Sequence, residues 1–217
     1  MNINTLSLLY VLLAIFFLSV VSLYLIKKNT IAVRAYVFQS SAIAFILFLF
    51  SLENLTALPI IALAMTVLVK VFVAPSFFFR LIRRHELKFS ASTYLNLPVT
   101  LLILAILTFL IRSFFLASGI FDPSRQNFLI IASSAIVISL FLIINRKGAL
   151  SQMLGVLSLE NSIVVFAAFA GLEQSPALQL GIVFDILIWV VISTIFVSMV
   201  YSHFGSLDVT KMKHLTE

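Results

Sequence analysis

The stretch GALSQMLGVLSLENSIVVFAAFAG, residues 148–171, places the carboxylate of Glu160 near the middle of an apolar run of about twenty residues. A run of that length crosses a bilayer as a helix. A carboxylate at the centre of such a helix costs about 2.5–3.5 kcal/mol on insertion scales, and it usually faces other helices or water. Glu160 is therefore a candidate functional residue.

Two further ionisable residues lie inside other apolar runs. Lys70 is in ALAMTVLVKVFVAP, residues 62–75, and Asp185 is in QLGIVFDILIWVV, residues 179–191. A structural role is the alternative for these ionisable residues. A protonated Glu160 could link helices, and a buried Lys70 could form an ion pair. The sequence does not show whether the three side chains contact each other.

The composition is that of a membrane protein. The chain has 217 residues, of which 62% are hydrophobic and 10% charged, and its mean hydropathy is +1.20. Because a soluble domain carries about 25% charged residues, this chain cannot cover itself with polar surface, and lipid must be its main solvent. It contains no cysteine, which excludes disulfides, thiolate chemistry and a cysteine-ligated iron–sulfur cluster in this chain.

Seven apolar runs are long enough to cross a hydrocarbon core of about 30 Å. They are residues 6–26, 34–51, 57–79, 95–117, 126–145, 150–171 and 177–202. Because lipid offers no hydrogen bonds to the backbone, each run is predicted to be a helix. The predicted fold class is therefore an all-α integral membrane protein of seven transmembrane helices, without an extramembrane domain.

Basic residues give the predicted orientation. Eleven of the fourteen lie in the loops after the first, third and fifth runs and in the tail, including Arg80, Arg83 and Arg84 after the third run. The opposite loops hold only Arg125, so the N-terminus is predicted outside and the C-terminus in the cytoplasm. Arg112 lies within the fourth run and is interpreted as a snorkelling anchor. Topology and lipid headgroups explain the net charge of +6 better than nucleic acid does.

The segment around Glu160 resembles a known family. MLGVLSLENSIVVFAAFAG is similar to the second helix of the K subunit of complex I (NuoK) and to its relative in multisubunit sodium/proton antiporters (MrpC). The similarity is closer to the hydrogenase-4 component E family (HyfE). The residues that carry it are the GxLxxEN segment (Gly155, Leu157, Glu160, Asn161), Asp185 in the last helix, FGSLD at 204–208, and Lys70 with Pro75, Arg80, Arg83 and Arg84 behind it.

The resemblance implies a membrane subunit of a group 4 nickel–iron hydrogenase or formate hydrogenlyase, in a bacterial or archaeal cytoplasmic membrane. Its partners would be antiporter-like subunits of the NuoL, NuoM and NuoN type, a NuoH-like subunit, and the peripheral hydrogenase subunits. The nickel–iron centre and the iron–sulfur clusters are expected in those partners, with no cofactor in this chain. The implied organisation is a four-helix extension (1–125), a NuoK-like three-helix module (126–202) and a short cytoplasmic tail (203–217).

These expectations define a mechanism. Glu160 is predicted to carry protons along a lateral path, Lys70 to act as the switching cation, and Asp185 to receive or supply the proton. Asn161, Ser158 and Ser162 are predicted to orient waters between them. No catalytic residue or metal site is predicted, and the ion is left open between proton and sodium.

Two other functions stay open. The chain could be a scaffold subunit that conducts no ions and whose charges pair across subunit interfaces. It could also be an MrpC-like subunit of a multisubunit cation/proton antiporter. An independent transporter is disfavoured because the sequence shows no internal two-fold repeat and no paired broken helices.

Overall fold

A computed structural model describes residues 3–52, 60, 63–64, 66–84, 93–119, 123–171, 198 and 201–202. Within these residues every regular element is a helix. The elements are α1 (Ile3–Leu25), α2 (Asn29–Ser51), a π-helix π1 (Val67–Val73), α3 (Ala74–Arg84), α4 (Leu97–Ser118), α5 (Pro123–Asn145) and α6 (Ala149–Ala170).

Five of the described helices, namely α1, α2, α4, α5 and α6, are long and apolar enough to cross a membrane. They coincide with five of the seven predicted runs, so the prediction of an all-helical, multi-pass membrane protein is confirmed. The count of seven helices and the orientation stay predictions. The run 177–202, with Asp185, lies almost wholly outside the described residues.

The third predicted run differs from a simple spanning helix. Pro75 has no N–H to donate to the carbonyl four residues earlier, and its ring crowds that carbonyl. The helix widens just before it, where the Ala74 N–H donates to the Val69 carbonyl, five residues back. Helix α3 then continues to Arg84.

The continuation of α3 corrects one sequence prediction. Arg80, Arg83 and Arg84 were expected in a loop, and they lie instead on the exposed face of α3. Hydropathy marks where a segment stops being apolar, whereas backbone hydrogen bonding decides where a helix ends, and these two points differ here.

Helices α5 and α6 form the closest pair in the bundle, joined by the short connection 146–148. Gly155 of α6 permits this approach, because a Cβ placed there would lie 2.8 Å from Ile143 Cγ1 and 3.3 Å from Ile143 N on α5. Helix α2 packs against α1, α3, π1 and α6, while α4 contacts α5 at the edge. The centre of the described bundle is therefore built from α2, α5 and α6.

Arg146, in the connection between α5 and α6, is buried and completes the end of α1. Its Nη2 donates to the carbonyls of Leu23, Tyr24 and Ile26, at 2.5, 3.1 and 3.3 Å. The last carbonyls of a helix have no partner within the helix, and a cation is favoured there. Burial lowers the pKa of the Arg146 guanidinium. The guanidinium of Arg146 thus connects the α5–α6 hairpin to α1.

Candidate functional site

A group of buried polar side chains lies at the centre of the bundle, at about the level of Glu160 on α6. We call it the polar cluster. Its members come from α2, π1, α5 and α6: Tyr36, Gln39, Ser40, Lys70, Ser139, Ser158, Glu160, Asn161 and Ser162. All of them except Glu160 are no more than 1% exposed.

Lys70 and Glu160 form an ion pair in this cluster. Lys70 Nζ lies 3.2 Å from Glu160 Oε1, and the two side chains are 1% and 19% exposed. Lys70 Nζ also donates to Asn161 Oδ1 at 3.0 Å. The lysine therefore contacts two neighbouring residues of α6, one charged and one neutral.

Asn161 connects the lysine to α2. While its Oδ1 accepts from Lys70, its Nδ2 donates to Ser40 Oγ at 3.1 Å. Tyr36 lies one helical turn before Ser40 and is fully buried, close enough to Glu160 for the two groups to interact electrostatically. The first branch of the cluster thus runs from Glu160 through Lys70 and Asn161 to Ser40.

A second branch joins α2, α6 and α5 through neutral groups. Gln39 Nε2 donates to Ser158 Oγ at 3.0 Å, and Ser158 Oγ lies 3.0 Å from Ser139 Oγ. Ser139 Oγ lies 3.5 Å from Ser162 Oγ, which itself donates to the Ser158 carbonyl at 2.8 Å. Hydroxyl groups both donate and accept, so the contacts between the three serines can reverse their direction, whereas Gln39 Nε2 only donates and the Ser158 carbonyl only accepts.

The side-chain oxygen of Gln39, Oε1, can accept a further hydrogen bond. The side chain is fully buried, and no donor among the described residues lies within hydrogen-bonding distance of its Oε1. Buried polar atoms of this kind are normally satisfied by an internal water. The second branch is therefore suited to hold a water at Gln39 Oε1.

The ion pair offsets the cost of placing charges at this depth. At an effective dielectric constant of about 20, unit charges 3.2 Å apart attract by about 5 kcal/mol. The insertion cost of each charge at the centre of a helix is about 2.5–3.5 kcal/mol. The two quantities are of similar size, so the attraction within the pair offsets much of the cost of burying the two charges.

Local structure explains how these side chains meet. Lys70 is at the centre of π1, where the wider turn produced by Pro75 sets its direction towards α6. On α6, Ser158, Asn161 and Ser162 follow the three- and four-residue spacing of one helix face. Glu160 lies about 100° around the helix from Asn161, outside that face, which accounts for its partial exposure.

The structure brings together five of the six predicted site residues: Glu160, Lys70, Asn161, Ser158 and Ser162. The sixth, Asp185, lies outside the described residues. Whether its carboxylate joins the cluster stays a prediction.

Sequence reasoning missed Tyr36, Gln39, Ser40 and Ser139. A signal was present, because residues 36, 39 and 40 share one face of the second run by helical spacing. The described part of the chain shows no group of three or more His, Asp or Glu side chains that could hold a metal ion. The hydroxyl, amide, amine and carboxyl groups of the polar cluster can form hydrogen bonds, and the amine and carboxyl groups can exchange protons.

Comparisons with protein-family models, with curated proteins and with solved structures find no match to this chain.

Proposed function

We propose that the chain is an ion-translocating membrane subunit of a complex-I-like hydrogenase or formate hydrogenlyase, and that the polar cluster is its ion path. The ion pair between Lys70 and Glu160, at 3.2 Å and linked to α2 through Asn161, is the observation that carries this proposal. Electron transfer would take place in partner subunits.

In this proposal Glu160 carries the proton. When Lys70 is charged and close, the carboxylate form of Glu160 is favoured, and when the lysine moves away or loses its charge, the protonated form is favoured. Asn161 Oδ1 accepts from the same amine at 3.0 Å. The amine would therefore keep a neutral partner when its contact with the carboxylate is lost.

The second branch would supply the hydrogen-bonded route. Ser158, Ser139 and Ser162 connect α5 to α6, and Gln39 can hold a water at the α2 end. Proton transfer along such a route needs groups that both donate and accept, and serine hydroxyls and water meet this requirement.

The scaffold alternative places the charges of this chain in pairs across subunit interfaces. The contact between Lys70 and Glu160 lies within one chain, which favours the ion-path proposal. The two functions differ in how neutral substitutions act, since a scaffold tolerates them and an ion path does not.

The first experiment identifies the partners. The chain is extracted in mild detergent and the co-purifying proteins are identified by mass spectrometry. We expect antiporter-like membrane subunits and the large subunit of a nickel–iron hydrogenase. Recovery of antiporter subunits alone would replace this proposal with the MrpC-like alternative.

The second experiment tests the ion path in membrane vesicles that carry the assembled complex. Glu160→Gln is expected to lower ion uptake per electron transferred by roughly a hundredfold or more, the contribution of a positioned proton-transfer group. Lys70→Met combined with Glu160→Gln keeps the buried charge balanced, so assembly should survive while translocation does not. Ser41→Ala, on the outward face of α2, is the matched control. Normal assembly with full translocation in Glu160→Gln would refute the proposal.

A further inference from the structure

An open groove lies on the outside of the bundle, away from the polar cluster. Helices α1 and α4 both pack against α5 and leave a groove of about 420 Å³ between them. Phe17 and Val21 of α1 form one wall, and Ile138 of α5 contributes to the floor. The opposite wall is one face of α4: Leu101, Leu104, Ala105, Thr108, Phe109 and Arg112.

The groove is apolar except at one end. Among the described lining residues Thr108 is one of two that are polar, and its Oγ1 already donates to the Leu104 carbonyl at 2.8 Å. The other is Arg112, which is exposed and forms no hydrogen bond or ion pair with any described residue. The groove therefore presents a hydrocarbon surface that ends in a single accessible guanidinium.

The groove has about the length of one leaflet of a bilayer, and it lies around the middle of α4. From Leu101 to Arg112 the helix rises about 16 Å, and half of the hydrocarbon core is about 15 Å thick. Arg112 lies six residues before Ser118, the end of α4, or about 9 Å along the axis. Its long side chain can extend from there to the headgroup level.

We propose that this groove binds an anionic phospholipid, with an acyl chain along α4 and the phosphate on Arg112. A hydrocarbon chain fits a groove of about 420 Å³, whereas a helix has a diameter of about 10–12 Å with its side chains. The guanidinium offers two parallel donors to phosphate oxygens, and its charge complements a negative headgroup. The lipid would fill the gap between α1 and α4 and hold the outlying α4 against the bundle.

The test uses the purified full chain, delipidated in detergent and titrated with phosphatidylglycerol or phosphatidylcholine, with bound lipid counted by native mass spectrometry. We expect phosphatidylglycerol to bind roughly tenfold more tightly or better, equivalent to about 1.4 kcal/mol. Arg112→Gln should remove that preference. Ala105→Phe should weaken the binding of both lipids, because the new ring occupies the groove.

Arg125→Gln is the matched control, since Arg125 is an exposed arginine of α5 that does not line the groove. Each variant must keep the thermal midpoint of the delipidated parent protein, which shows that it is folded. Equal binding of the two lipids by the parent protein would overturn the proposal. So would an unchanged preference in Arg112→Gln, or cross-linking that places a protein segment in the groove.

Discussion

Lys70 is the more constrained partner of its ion pair. Its side chain is 1% exposed, and both of its contacts, Glu160 and Asn161, lie on α6. Removing one partner of a buried ion pair typically destabilises a protein by about 3–5 kcal/mol, because the other charge is left uncompensated. The double variant Lys70→Met with Glu160→Gln removes both charges together. It is therefore the proper background for separating effects on ion transfer from effects on folding.

Ser40 and Ser41 are neighbours on α2 with opposite environments, and they give a matched pair of substitutions. Ser40→Ala removes the acceptor of Asn161 Nδ2, and we expect a loss of about 1 kcal/mol, because a buried donor is left unsatisfied. Ser41→Ala should change stability by less than about 0.5 kcal/mol, because that hydroxyl is exposed and bonds only to the Val37 carbonyl of its own helix.

Thermal unfolding of the purified protein in detergent measures both effects. A loss of about 1 kcal/mol corresponds to roughly 2–4 °C in a chain of this size. Equal midpoints for the two variants would show that the contact between Asn161 and Ser40 does not stabilise the bundle.

For the helices, the sequence predicted which segments are helical better than it predicted which face of each helix points into the bundle. Helices α1, α2, α4, α5 and α6 follow from the length of their apolar runs. The face that each helix turns inward does not follow, because lipid and core are both apolar. Ile163, which is exposed, and Val165, which is buried, are equally hydrophobic residues of α6.

The same limit applies to the candidate site. Glu160 and Lys70 could be singled out from the sequence because a charge in lipid is costly wherever it points. Ser139 could not, because neutral polar residues in spanning helices are common and only packing shows that it meets Ser158. The widened turn π1 also required the structure, since Pro75 alone could equally have ended a helix.

Gly155 sets the distance between α5 and α6. Gly155→Ala should destabilise the protein by about 1–3 kcal/mol, because its Cβ would lie 2.8 Å from Ile143 Cγ1 and the hairpin must open. Ile143→Ala in the same chain removes that atom and should recover part of the loss.

A double-mutant cycle of Gly155→Ala and Ile143→Ala, followed by thermal unfolding, measures the interaction between these two sites. If the two losses of stability are additive, the overlap between the new Cβ at position 155 and Ile143 Cγ1 is relieved elsewhere in the hairpin. The cycle is informative for function as well, because Ser139 and Ser158 meet across the same interface.

For the molecule as a whole, Arg146 joins the first helix to the hairpin that carries Glu160. Arg146→Lys should destabilise the chain by about 2 kcal/mol, because Nη2 donates to the carbonyls of Leu23, Tyr24 and Ile26 and the compact, strongly hydrated ammonium of a lysine does not reproduce its position.

The neighbouring Lys147→Arg is the control for Arg146→Lys. Lys147 Nζ lies 4.9 Å from the centre of the Tyr94 ring, and an arginine keeps that cation–π contact. The thermal unfolding midpoint should therefore be lower for Arg146→Lys than for Lys147→Arg. If Arg146→Lys lost no more stability than Lys147→Arg, the charge of Arg146, and not the position of its Nη2, would be what matters at this connection.

The contact between π1 and α6 also has a consequence for biogenesis. Asn161 follows Lys70 by 91 residues. A ribosome adding about 5–20 residues per second needs roughly 5 to 20 s to make that stretch. Throughout that interval the amine has been translated and its partners on α6 have not, so its charge is still uncompensated. We therefore expect the third predicted run to settle stably in the bilayer only after the hairpin containing Glu160 has been made, so that insertion depends on the order of synthesis.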